Sequence, residues 1–245
     1  SRLDRVGVDA ARSELFRTIY LPEVARDYAA DLNQDGKFDG DVAATPDHRY
    51  GCSGIDGVSF GPEFGRADGP HFLTVAYGIY ANTARADNDH QVLLQYDVSD
   101  WDRYARPLSE LAPHHSGPAK PHGKYFVRTG NTTYGVQNLA YDEAEHRWLL
   151  GVYKGAKPSF PNYSLFAVDA QTAAKQGDLI GVPGADGRGW EQGRLLVLAR
   201  DGLEDPATGI RGWNQKADVG LQPIGHGLFY LAVNSGTKGR QTGEV

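Results

Sequence analysis

A short apolar stretch recurs along this chain, and the recurrence limits the possible folds more than any other feature. The middle copy is Gly135-Val136-Gln137-Asn138-Leu139-Ala140-Tyr141-Asp142. Related stretches stand roughly 80 residues to either side, at Gly54-Ile55-Asp56-Gly57-Val58-Ser59-Phe60 and at Asp218-Val219-Gly220-Leu221-Gln222-Pro223-Ile224. Each is entered through Gly, Asp or Asn. Each is followed within about a dozen residues by a second, more hydrophobic stretch, which is the sequence form of a repeated hairpin.

The segments around the copies read as strands in a fixed order. The first unit has Val58 to Phe60, Phe72 to Tyr77, Val92 to Val98 and Tyr125 to Arg128, with a polar, turn-like connection from Asn82 to His90. The second has Val136 to Tyr141, Trp148 to Tyr153, Ser164 to Asp169 and Leu195 to Ala199. The third begins at Val219 to Ile224, continues with Leu228 to Val233, and reaches the end of the sequence at Val245. Composition agrees: 31 Gly, 13 Tyr and 4 Trp suit many short strands joined by tight turns. A strand over Leu15 to Tyr20 and a short helix opened by Pro22 and Glu23 precede the first unit.

Four antiparallel strands per unit with long connections between units resemble the blades of a β-propeller; a β-sandwich is the alternative. The resemblance implies an all-β chain of four-stranded blades, about 80 residues each, forming one domain over residues 1–245 with a calcium-loop insertion near residues 21–48. Three blades are fewer than the about four to eight that close a ring. The expectation is therefore that the sequence is incomplete or that two chains share a ring.

The most specific local motif is Asp31-Leu32-Asn33-Gln34-Asp35-Gly36-Lys37-Phe38-Asp39-Gly40-Asp41. It resembles the calcium loop of EF-hand and dockerin-type proteins, whose alternating carboxylates and amides turn oxygens toward one hard cation. The resemblance implies Ca²⁺ held by Asp31, Asn33, Asp35, the Lys37 carbonyl and Asp39. Val42 stands where the family places its last acidic ligand. An Asn-, Asp- and Gly-rich solvated turn is the metal-free alternative.

If the recurring strands line a channel, the loops that feed them form its mouth. Those loops carry Arg49 and Tyr50 before Asp56, Tyr134 before Asn138, and Arg211 and Trp213 before Asp218. Aromatic faces beside carboxylates and amides suit a sugar, so carbohydrate binding or glycoside cleavage is the leading expectation, with Asp56 and Asp218 as the candidate catalytic pair. Those same residues have ordinary structural uses, the aromatics between blades and the Asp and Asn in turns. A metal-dependent lactonase or ester hydrolase using Asp56, Asn138 and Asp218 as ligands, and a non-catalytic protein-binding scaffold, are the alternatives. Arg49, Arg128 and Arg211 offer a sialidase-like arginine set, but the sialidase repeats are absent. His114, His115 and His122 match no zinc spacing.

A net charge of −6 gives no electrostatic footprint for nucleic acid or an anionic membrane. No apolar run approaches the about 20 residues of a membrane span. Cys52 is the only cysteine, so no disulfide forms within the chain. A calcium loop on an all-β chain points to a secreted or periplasmic protein whose signal peptide is not in this sequence.

Overall fold

The computed structural model describes residues 16–29, 55–79, 82–109, 111–237 and 239–245. In chain order these form β1 (Arg17–Thr18), α1 (Pro22–Ala29), β2 (Gly57–Pro62), β3 (His71–Gly78), β4 (His90–Tyr96), β5 (Arg106–Pro107), β6 (Gly123–Arg128), β7 (Thr132–Asp142), β8 (Arg147–Lys154), β9 (Leu165–Asp169), β10 (Lys175–Pro183), β11 (Trp190–Leu195), β12 (Leu203–Glu204), β13 (Arg211–Gly212), β14 (Gly220–Gly225), β15 (Leu228–Thr237) and β16 (Arg240–Glu244). The protein is predominantly β, in several open sheets. No described helix is long and apolar enough to cross a membrane.

The three recurring stretches begin three sheets. β2, β3, β4 and β6 pair antiparallel in that order, as the sequence pattern predicts. The hairpin β10–β11 extends this sheet through one parallel bridge, Leu195 to Phe126. β7, β8 and β9 form the second sheet, and β14, β15 and β16 the third. Leu195–Ala199, expected as a fourth strand of the second sheet, adds only a bridge from Leu198 to Val168, and Trp213 bridges Leu165 nearer the start of β9. Two short pieces thus share the outer edge of the second sheet. Among the described residues the sheets remain open.

Burial explains why the sheets stack. All seven residues of β4 are buried, because its sheet is covered on both faces. Ala76, Leu93, Tyr125 and Val127 face the second sheet and meet Val136, Trp148, Leu150 and Phe166. The opposite face, with Val75, Tyr77, Val92 and Leu94, is covered by Leu21 and Val24 around α1 and by Leu179, Val182 and Leu195 of the β10–β11 hairpin. Ala140, Leu149 and Ala167 pack against Ala217 and Leu221 between the second and third sheets. Buried polar groups in β4 are satisfied locally: Gln95 donates to the Pro62 carbonyl at 2.9 Å and to Thr74 Oγ1 at 3.1 Å, and accepts from the Phe64 amide at 3.1 Å.

Two glycines set how closely the first two sheets approach. A Cβ on Gly61 would lie 2.6 Å from the Trp148 ring, and one on Gly135 would overlap the backbone nitrogen of Gly78. Gly135 also has φ +73°, a conformation that favours glycine. The first contact seats the end of β2 on Trp148 near the start of β8, and the second brings the start of β7 against the end of β3.

Polar contacts anchor α1 to the first sheet. Asp27 is 1% exposed and accepts from the Tyr77 hydroxyl and from Lys124 Nζ, the latter at 2.7 Å. Lys124 also reaches Glu23 at 2.9 Å. The helix therefore sits over a sheet face through a buried ionic contact as well as through Leu21 and Val24.

Candidate functional site

The starts of β2 and β7 lie at one end of the stack, and the segment leading into β14 joins them there. Asp56 immediately precedes β2 and is exposed, while Asp218 precedes β14 and is half-buried. β7 is irregular here, with register shifts between Thr132 and Val136 and between Val136 and Asn138. Such irregularities bend a strand and re-aim its side chains. Tyr134 stands in the first irregular segment with 44% of its surface exposed, and Asn138 closes the second.

Antiparallel pairing brings the end of β8 to this place. Tyr153, next to last in β8, meets Tyr134 edge to face, with ring centroids 5.3 Å apart and planes at 86°. Burial, followed by the neighbouring Asp218 carboxylate, Tyr134 and Asp56, holds the Tyr153 phenol above its usual pKa. The two carboxylates whose fields reach Tyr153 come from the entrances of two different sheets. Asn138 Nδ2 donates to the Ala217 carbonyl at 2.9 Å, tying β7 to the segment that carries Asp218. Gln137 Nε2 caps the Tyr134 carbonyl at 2.8 Å, and Thr133 Oγ1 donates to the Lys154 carbonyl at 2.7 Å. These bonds hold the irregular strand in one shape.

Of the residues singled out in the sequence, Asp56, Tyr134, Asn138 and Asp218 are brought to this end. Trp213 and Arg211 make their side-chain contacts elsewhere. The Trp213 ring is 6.0 Å from the Arg147 guanidinium at the far end of β8 and belongs to the apolar layer between the second and third sheets. Arg211 pairs with Glu204 and donates to the Arg200 carbonyl at 2.8 Å. Arg49, Tyr50 and the loop residues Asp31, Asn33, Asp35, Lys37 and Asp39 lie outside the described residues.

The histidines are dispersed. His114 Nε2 is 2.8 Å from Thr18 Oγ1, His115 packs on Tyr20, and His122 Nε2 is 2.7 Å from Glu63 Oε1. Among the described residues no three His, Cys, Asp or Glu side chains come together as metal ligands.

Tyr153 is the member of the site that sequence reasoning missed. A signal exists: it ends the second stretch of its unit as Tyr77 ends that of the first. Tyr77 is fully buried and donates to Asp27, whereas Tyr153 is half-buried beside Tyr134. The same strand position serves helix anchoring in one unit and the shared end in the other.

Compared with family models, with curated proteins and with solved structures, the chain matches none.

Proposed function

We propose that the protein binds a carbohydrate where Asp56, Tyr134, Asn138, Tyr153 and Asp218 gather, on a propeller-type stack of blades. The observation that carries this proposal is the edge-to-face pair of Tyr134 and Tyr153, one ring 44% exposed, in a strand that Asn138 ties to the segment entering β14. A pyranose has a C–H face that packs on an exposed ring and hydroxyls that need acceptors and donors at its rim. Tyr134 offers the face, the carboxylates accept from hydroxyls, and the Tyr153 phenol, held in its neutral form, donates.

Screening on a glycan array followed by calorimetry tests this. At least one glycan is expected to bind, and Tyr134→Ala combined with Asp218→Asn to weaken it by about tenfold or more, the loss of a ring contact and a charged hydrogen bond. Thermal unfolding of the double variant should stay near that of the wild type, since both side chains are partly exposed. An array without hits, or an affinity unchanged by the double substitution, would remove the assignment.

We also propose that Asp31, Asn33, Asp35, the Lys37 carbonyl and Asp39 bind Ca²⁺ and order the segment before β2, in keeping with a secreted or periplasmic protein. The support is the alternation of oxygen-bearing residues ending in a Gly turn. Calorimetric titration with Ca²⁺ should give a binding heat that vanishes in Asp31→Ala/Asp35→Ala. The same heat in wild type and variant would dismiss the loop as a site.

A further inference from the structure

Outside the candidate site, one lysine is enclosed with the partners of an amide-forming reaction around it. Lys157, in the β8–β9 connection, is 5% exposed, and its Nζ donates to Asn88 Oδ1 at 2.7 Å and to Asp89 Oδ1 at 2.5 Å. Both partners belong to the β3–β4 connection and are buried as well, Asn88 completely. The Phe160 ring lies 5.8 Å from Nζ. An amine, a carboxamide and a carboxyl group thus meet out of water, brought together from two connections.

Hydrogen bonds to the surrounding backbone fix all three residues. The Thr129 and Gly130 amides donate to the Asp89 carbonyl at 3.1 Å, and the Phe160 amide and Asn162 Nδ2 donate to the Lys157 carbonyl at 3.2 and 2.8 Å. Asn88 Nδ2 donates to the Asn82 carbonyl at 3.0 Å. A carbonyl carbon lies about 1.2 Å behind its oxygen, so Nζ is within about 4 Å of the Asn88 carbon, close to the separation from which an aligned nucleophile attacks. Burial raises the Asp89 carboxyl above its usual pKa even with Lys157 beside it. Away from water a charged pair holds little advantage over the neutral amine and acid, and the neutral amine carries the lone pair that attack requires.

We propose that Lys157 and Asn88 join in an intramolecular isopeptide bond, with Asp89 as the catalytic acid and base. Lys157 Nζ passes one proton to Asp89 and attacks the Asn88 carbonyl carbon. Asp89 then protonates the departing Asn88 nitrogen and takes a second proton from Nζ. The bond from carbon to Nδ2 breaks, the bond from carbon to Nζ forms, ammonia leaves, and one proton remains on Asp89. No oxidant or cofactor is consumed. The closed surroundings matter twice, since they favour the neutral amine and keep out the water that competes for the same carbon. The product ties the first sheet to the second through their connections, a covalent link that a single cysteine cannot supply.

Mass spectrometry of the purified chain, denatured and then digested with trypsin, tests this. Intact wild type should weigh one ammonia less than its sequence, and the tryptic peptides containing Asn88 and Lys157 should elute as one branched species. Lys157→Arg, Asn88→Ala and Asp89→Asn should each give the full mass and two separate peptides. A wild-type mass with no ammonia missing overturns the bond and leaves Lys157 as an ion-pair partner of Asp89. A missing ammonia that persists in Lys157→Arg belongs to a succinimide elsewhere and overturns it too. Loss of water, with Lys157 joined to Asp89 in the digest, overturns Asn88 as the acceptor. A bond to Asn88 that still forms in Asp89→Asn overturns the catalytic role of Asp89.

Discussion

Trp148→Ala is expected to destabilise the protein by about 3–5 kcal/mol, the cost of emptying a large aromatic site in a packed interior. Trp148 is fully buried, with ring centroids of Tyr141 at 5.2 Å and Phe64 at 5.7 Å. It projects from the second sheet onto Gly61 of the first, so its removal leaves a cavity between two sheets that neither can fill without moving. Urea unfolding monitored by circular dichroism measures the change as a shift in midpoint at unchanged slope. A companion experiment reads the same contact from the other side. Gly61→Ala places a methyl group against a ring wedged among aromatics, and should be costly in wild type but much less so in Trp148→Phe, where the ring is smaller. The interaction energy between the two substitutions should be on the order of 1 kcal/mol. Additive effects, or a loss below about 1 kcal/mol in Trp148→Ala, would show that the first two sheets do not pack through this ring.

The stacking contact is also what made most of the fold legible. β3, β4 and β7 to β9 carry apolar residues on faces buried by their neighbours, so their sequences are dense in Val, Leu, Ala and aromatics. Where a strand has no such neighbour the signal fades. The β10–β11 hairpin was missed because only Leu179, Val182 and Gly193 are buried in it, and its run is interrupted by Gly177 and Gly181. β16, Arg240–Glu244, is exposed at every position and contains no apolar residue at all. Leu195–Ala199 looks like a strand because Leu196 is buried and Leu198 packs against the core. Yet its backbone is divided between Phe126 of β6 and Ala167 to Asp169 of β9.

The candidate site divides along the same line. Asp56 and Asp218 were legible because each stands at the entrance of a recurring first strand, and Asn138 because it lies within the middle copy of the repeat, although β7 begins six residues before it. Tyr153 was not, since it joins the group through the antiparallel register of β7 with β8, with Thr132 facing Lys154 and Val136 facing Val152. Trp213 recurs in the right sequence place, but its backbone bonds with Leu165 and Ser164 fasten it to the edge of the second sheet and turn its ring toward Arg147. An aromatic spacing in sequence reports where a backbone passes, and the local pairing decides which way the side chain points.

His90 should make the protein less stable as the pH falls from about 6.5 toward about 4. The unfolded chain binds a proton on this histidine near its ordinary pKa of 6.5, whereas burial and then Arg128 hold the folded value at about 4. Between those values the unfolded state carries the proton and the folded state does not, so acidification favours unfolding. The full difference corresponds to about 3 kcal/mol, reached at the low end of the window. Asp27 and Asp89 act in the opposite sense. Burial raises both carboxyls, so the folded protein takes up their protons before the unfolded chain does and gains relative stability as they titrate. The His90 contribution is therefore read as a difference between proteins. Urea unfolding of wild type and His90→Gln at about pH 7.5 and at about pH 4.5 should show wild type losing more stability on acidification, by on the order of 2–3 kcal/mol. Arg128→Gln should narrow that gap while retaining His90, because it removes the positive charge that adds to burial. Parallel losses in wild type and His90→Gln would mean that the imidazole takes up its proton in the folded protein as readily as in the unfolded chain.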